Sequence, residues 1–189
     1  GSEMCIRDRV RLVLDECFVQ FLTSGEEASM QLETGRFRYL FVLQAFTKIY
    51  AVPGIRLGYG ISSDKALLER METVRQPWSV STPAQAAGLS ALKEDHREEQ
   101  TRQLVKSERE RMEKELENLR IEYIPSEANF LLFNSEINWF EELKKRGILI
   151  RDCANYRGLG NGWYRMAVRL PEENDRLLEC MKQVLNERS

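Results

Sequence analysis

A lysine, a hydroxyl and an arginine share one short segment of this chain, Ala45-Phe46-Thr47-Lys48-Ile49-Tyr50-Ala51-Val52-Pro53-Gly54-Ile55-Arg56-Leu57-Gly58-Tyr59. A lysine amine can bond covalently to an aldehyde, and a hydroxyl beside a guanidinium offers neutral and charged donors to a phosphate. The trio therefore suits a phosphorylated aldehyde. The surrounding elements must place it. Leu40-Phe41-Val42-Leu43 is an apolar run that predicts a buried strand, which sets Lys48 just past a strand's carboxyl end, where open α/β sheets hold their ligands. A lone lysine in a loop is ordinarily a solvated surface group, so the reading needs partners elsewhere.

Two further segments supply them. Val10-Arg11-Leu12-Val13-Leu14 predicts a strand that ends in Asp15-Glu16-Cys17-Phe18. Two carboxylates stand at that end, and Asp15 is the choice over Glu16; its plain alternative is a turn or helix-cap carboxylate. Farther on, Gly147-Ile148-Leu149-Ile150-Arg151-Asp152-Cys153-Ala154-Asn155-Tyr156 is followed, after a Gly-rich turn, by Trp163-Tyr164-Arg165-Met166-Ala167-Val168-Arg169. Guanidinium groups present parallel N–H bonds to carboxylate and a permanent charge to phosphate. Either arginine alone would more often be an ordinary surface residue.

Taken together, Thr47-Lys48 with Pro53-Gly54-Ile55-Arg56-Leu57-Gly58-Tyr59 resembles the lysine signature of fold-type I pyridoxal 5'-phosphate (PLP) enzymes, and Asp15-Glu16-Cys17-Phe18 resembles their Asp-Glu-Ala-Tyr/Phe element. The resemblance implies Lys48 as the catalytic lysine, with Asp15, Thr47 and Arg56 also binding the cofactor. The 147–156 and 163–169 segments are similar to the small-domain strands of threonine-phosphate decarboxylases and histidinol-phosphate aminotransferases. There Arg165 would grip the substrate α-carboxylate and Arg151 the distal phosphate, with Arg169 on the same strand as second choice. Asn129, in Glu127-Ala128-Asn129-Phe130, matches an asparagine beside the carboxylate site.

Two positions depart from the pattern. Phe18 stands where many relatives carry a tyrosine that reaches the cofactor's phenolic oxygen, and Ala45 stands where many carry a serine for its phosphate. The family's Gly-rich turn, stacking aromatic and Asn-Pro-x-x-Pro-(Thr/Ser)-Gly segment do not precede Val10. Gly1-Ser2 resembles a tag remnant and residues 3–9 an unrelated leader. The resemblance thus spans residues 10–189, about the carboxyl-terminal half of a family member, and a chain of this extent is expected to be inactive alone.

Gln76-Pro77-Trp78-Ser79-Val80 and Ile150 to Tyr156 look closer to the decarboxylases. The expectation is decarboxylation of O-phospho-L-threonine in cobalamin biosynthesis by the full-length protein, as a cytoplasmic homodimer acting on a small phosphorylated amino-acid-like substrate. The alternative is a histidinol-phosphate or related aminotransferase. A reading of another class is a catalytically silent fragment or helical interaction module built on residues 97–119.

Composition excludes several chemistries. The chain has 189 residues, 42% hydrophobic and 31% charged, with a formal net charge of -2, which bounds it to globular protein with core for one or two domains. Basic residues are interspersed with acids, so no nucleic-acid surface is expected. No apolar run approaches the roughly 18 residues of a membrane span. Cys5, Cys17, Cys153 and Cys180 lack Cys-x-x-Cys spacing, and His96 is the only histidine; no metal site is expected, and the thiols should be reduced.

The fold class expected is α/β: the second half of a large mixed-sheet domain, partial and of fold-type I, plus a small α+β carboxyl-terminal domain. The boundaries are 1–9 for the leader, 10–100 for the partial PLP-binding domain, and 101–189 for a connecting helix and the small domain. Strands are expected to end at Asp15, Thr47 and about Ser62, with a helix over 64–74 and another from about Pro83 to Leu92. A long helix over 97–119 carries Leu104, Met112, Leu116 and Leu119 at helical spacing. Strands at 121–124 and 128–133, a helix at 137–146 and a closing helix at 172–187 complete the order.

Overall fold

The computed structural model describes residues 10–94 and 96–188. The leader 1–9, with Cys5, lies outside the described residues. The chain divides into two units, the first ending at Arg102 and the second beginning at Gln103.

The first unit is built on a three-stranded sheet of β1 (Leu12–Asp15), β2 (Leu40–Ala45) and β3 (Gly58–Ile61), in that order. β1 and β2 run parallel, with Asp15 beside Leu43, and β3 returns antiparallel. Leu40, Phe41 and Val42 are buried, as a central strand requires. Between β1 and β2 the chain crosses over through three short 3-10 turns rather than a long helix. β2 stops at Ala45 and the next four residues form α1 (Phe46–Ile49), so Thr47 and Lys48 lie on a helical turn, not at a strand end. β3 and α2 (Lys65–Val74) are joined through Ser62, whose Oγ donates to the Leu40 carbonyl at 2.9 Å, and Asp64, which caps the helix by accepting from Leu67 N at 3.2 Å. α3 (Thr82–Ala91) starts at a Ser81 cap with Pro83 in its first turn, where proline costs no hydrogen bond. Gly88 of α3 leaves room for the Leu57 side chain, which would stand 2.5 Å from an added Cβ.

α4 (Arg97–Asn118) passes from the first unit into the second. Its buried apolar residues are Val105, Met112 and Leu116, whereas Leu104 is 39% exposed. The expected stripe is therefore corrected at its first position. At 100° per residue, Val105 lies about 20° from Met112 around the helix and Leu104 about 80°. Met112 and Leu116 are fully buried, so the stripe is not the open face that an interaction module would present.

The second unit holds an antiparallel sheet in the order β4-β5-β7-β6: β4 (Glu122–Ile124), β5 (Phe130–Asn134), β6 (Arg151–Asp152) and β7 (Trp163–Ala167). Leu131 and Phe133 of β5 and Tyr164 and Met166 of β7 are buried, and their alternate neighbours occupy the other face. α5 (Trp139–Lys145) follows an Asn138 cap, and α6 (Pro171–Asn186) buries Leu177, Leu178, Met181 and Val184 along one stripe. Two sequence expectations shift here. β6 is only two residues long and Leu149 is 75% exposed. β7 ends at Ala167, so Arg169 is off the strand. Its backbone N–H and side chain are engaged by Asn174 (3.0 Å) and Glu173 (2.8 Å) of α6.

Candidate functional site

The lysine segment is an excursion whose ends are pinned by one ladder: Ala45 pairs with Gly58, and Phe46 N donates to the Leu57 carbonyl at 3.1 Å. Inside it Phe46 stacks on Tyr50 at 5.1 Å and meets Tyr59 edge-on at 6.0 Å. Thr47, Lys48 and Arg56 are thereby carried on one closed loop. Lys48 is exposed, and its ammonium lies 5.3 Å from the centre of the Phe18 ring. Arg56 is also exposed; its Nη1 donates to the Pro53 carbonyl at 3.3 Å, and its backbone takes the left-handed conformation at φ 57°, an arrangement that strains a side chain with a Cβ.

Asp15 closes the other side of this region. Its Oδ1 accepts the Cys17 backbone N–H at 3.0 Å. The Cys17 thiol and then the Cys17 backbone N–H, aided by the charge of Lys48, hold the Asp15 carboxyl below the usual range. Burial, followed by Asp15, pushes the Cys17 thiol up to about 11. Glu16 has a different task. It is buried and accepts from Ser29 Oγ at 2.6 Å, Met30 N at 2.8 Å and Gln44 Nε2 at 3.1 Å. One carboxylate ties the crossover to β2; its neighbour stays exposed at the strand end beside Lys48. Sequence reasoning counted Phe18 only for its missing hydroxyl and passed over Cys17; a ring three residues past a strand-end aspartate was the available signal.

In the second unit Arg151 and Arg165 are register partners on β6 and β7. Directly opposed residues of an antiparallel pair have Cβ atoms about 5 Å apart, and like charges there repel. Among the described residues neither pairs with a carboxylate. Arg151 donates to Asn155 Oδ1 at 3.1 Å and sits 5.6 Å from the Tyr156 ring; Arg165 sits 4.9 Å from the Phe130 ring. Asn129 precedes β5, and its carbonyl accepts Val168 N at 2.9 Å. By alternation it belongs with the buried Leu131 and Phe133, whereas Leu132 is the residue paired with Arg165.

The profile of a family described as Aminotransferase class I and II matches residues 2–180. The chain belongs to this family. It is 36% identical over 188 residues to the threonine-phosphate decarboxylase of Salmonella typhimurium, covering 97% of this chain and 51% of that protein. It is 37% identical over 175 residues to histidinol-phosphate aminotransferase 1 of Archaeoglobus fulgidus, covering 92% and 52%. Among solved structures, the histidinol-phosphate aminotransferase of Clostridium acetobutylicum superposes with a TM-score of 0.90 at 30% identity, over 98% of this chain and 57% of that one. The L-threonine-O-3-phosphate decarboxylase of Porphyromonas gingivalis shares the fold, with a TM-score of 0.82 at 24% identity. The chain spans about half the length of the curated relatives it matches. The fold is thus part of a fold-type I aminotransferase, and such aminotransferases and decarboxylases depend on PLP. No helix among the described residues is long and apolar enough to cross a membrane.

Proposed function

We propose that the full-length protein is a PLP-dependent decarboxylase of O-phospho-L-threonine, serving cobalamin synthesis as a cytoplasmic homodimer. In this reading residues 10–100 are part of the cofactor domain, and 101–189 the connecting helix and small domain. The observation that carries the PLP reading is the placement of exposed Lys48, over the Phe18 ring, in the same region as exposed Asp15 at the carboxyl end of β1. An amine and a carboxylate so placed fit an aldehyde cofactor with a basic ring nitrogen.

When bound, PLP supplies an electron sink for charge developing at the substrate Cα. Asp15 would hold the proton on its ring nitrogen. The Thr47 hydroxyl and Arg56 guanidinium would bind its phosphate, and Lys48 Nζ would deliver the proton that takes the place of carbon dioxide at the reacting carbon. Arg165 grips the α-carboxylate and Arg151 takes the side-chain phosphate, while Asn129 is left out of that grip because alternation puts it on the opposite face of the sheet from Arg165. The Arg151–Arg165 register pair, which no carboxylate neutralises among the described residues, supports this, because an anion between them relieves the repulsion of two opposed cations.

Amino transfer from histidinol phosphate is the second reading, favoured by relatives of both kinds at nearly equal identity. Carbon dioxide release from O-phospho-L-threonine separates it from amine loss by histidinol phosphate. For the chain itself, incubation with PLP, borohydride reduction and peptide mass spectrometry are expected to find pyridoxyl on Lys48 and none in Lys48→Ala. Adducts scattered over surface lysines, unchanged in the variant, would defeat the assignment.

A further inference from the structure

The second unit contains a buried cation that its ion pair does not explain. Arg109 on α4 is 6% exposed, yet its Nε stands 4.0 Å from Glu113 Oε1, an atom buried without a hydrogen-bond partner. Its Nη1 instead donates to two backbone carbonyls, Glu127 at 2.9 Å and Ala128 at 3.3 Å. Glu113, one helical turn on, reaches Arg109 only through that long contact. Ser126 Oγ accepts Ala128 N at 3.1 Å. Burying a guanidinium is costly, and apolar replacements of buried charges are often neutral or stabilising. Stability alone is therefore a weak reason for Arg109.

The clasped turn, 126–128, leads directly into β5. Phe130 pairs with Ala167, and its ring underlies the Arg165 guanidinium at 4.9 Å. A slip of one residue at the start of β5 would carry Phe130 to the opposite face. A guanidinium held on an aromatic ring has already given up rotamer freedom that anion binding would otherwise cost.

We propose that Arg109 is a positioning residue: it clasps the 126–128 turn through the Glu127 and Ala128 carbonyls, so that Phe130 holds the Arg165 guanidinium ready for a carboxylate. The proposal rests on the reading of Arg165 as the carboxylate-binding arginine.

The test is nuclear magnetic resonance of the 189-residue chain, following the Arg165 Nε–Hε signal assigned by its loss in Arg165→Lys. The signal is expected to carry a ring-current shift that Phe130→Leu removes. Arg109→Lys keeps the charge but cannot reproduce the fork, and Arg109→Met fills the volume without donors. Both are expected to abolish most of the shift, while the Leu131 and Met166 methyl signals keep their dispersion. O-phospho-L-threonine should then bind about tenfold more weakly. A wild-type signal without the shift, or a shift that survives in both Arg109 variants, overturns the proposal. If O-phospho-L-threonine perturbs neither arginine in the wild type, the substrate reading fails, while the ring-current comparison still decides the positioning role.

Discussion

The Cys17 thiol, pushed up to about 11 first by burial and then by Asp15, stays protonated across the neutral range. Iodoacetamide should consequently alkylate it slowly at pH 8, with the rate climbing toward pH 11. Asp15→Asn removes the carboxylate's share and is expected to move that profile to lower pH, since a neutral neighbour no longer disfavours the thiolate. A profile unmoved by the substitution would place Asp15 out of contact with Cys17. The same contact keeps Asp15 ionised, which its proposed task requires. At this scale the strand end at Asp15 was legible, because the apolar run stops there. The reason for Glu16 was not: three donors separated from it in sequence reach it only once the crossover folds back.

At the scale of elements, β2 and β3 interlock through a glycine. The Phe41 ring lies across Gly60, and a Cβ there would meet Phe41 Cζ at 2.3 Å. Alanine would gain roughly 0.5–1 kcal/mol over glycine in a strand interior, but forcing a buried ring aside costs about 1–3 kcal/mol. Gly60→Ala is expected to be net destabilising, lowering the urea midpoint, and Phe41→Leu should recover part of the loss in the double variant. An unchanged midpoint would show that the ring yields freely. Helix starts were legible because caps are local: Asp64, Ser81 and Asn138 each accept from an N–H three residues on. The length of β6 was not, since a strand exists only where a partner offers a ladder, and β7 offers one only to Arg151 and Asp152.

Across the whole molecule, each unit buries a carboxylate bound by arginine. Asp64 is held below the usual range first by Arg11, and Glu108 first by Arg111, with Asn174 donating as well. A carboxyl depressed on folding stabilises the folded state above its unfolded pKa of about 4, and that contribution is lost as pH falls through the folded value. Stability should accordingly decline as pH falls below about 4. Asp64→Asn is expected to be less stable than wild type at pH 7, with the two converging toward pH 2. Parallel stability curves from denaturant titrations at several pH values would contradict this.

The sequence by itself determined the family and the order of most elements, because these rest on local patterns: an apolar run, a cap, a lysine followed by Pro53-Gly54-Ile55-Arg56. Tertiary structure alone decided that Arg151 faces Arg165, that Phe18 underlies Lys48 and that Val105 rather than Leu104 is buried. Ladder register and ring placement join residues distant along the chain, and their energies arise only after the loops between them have closed.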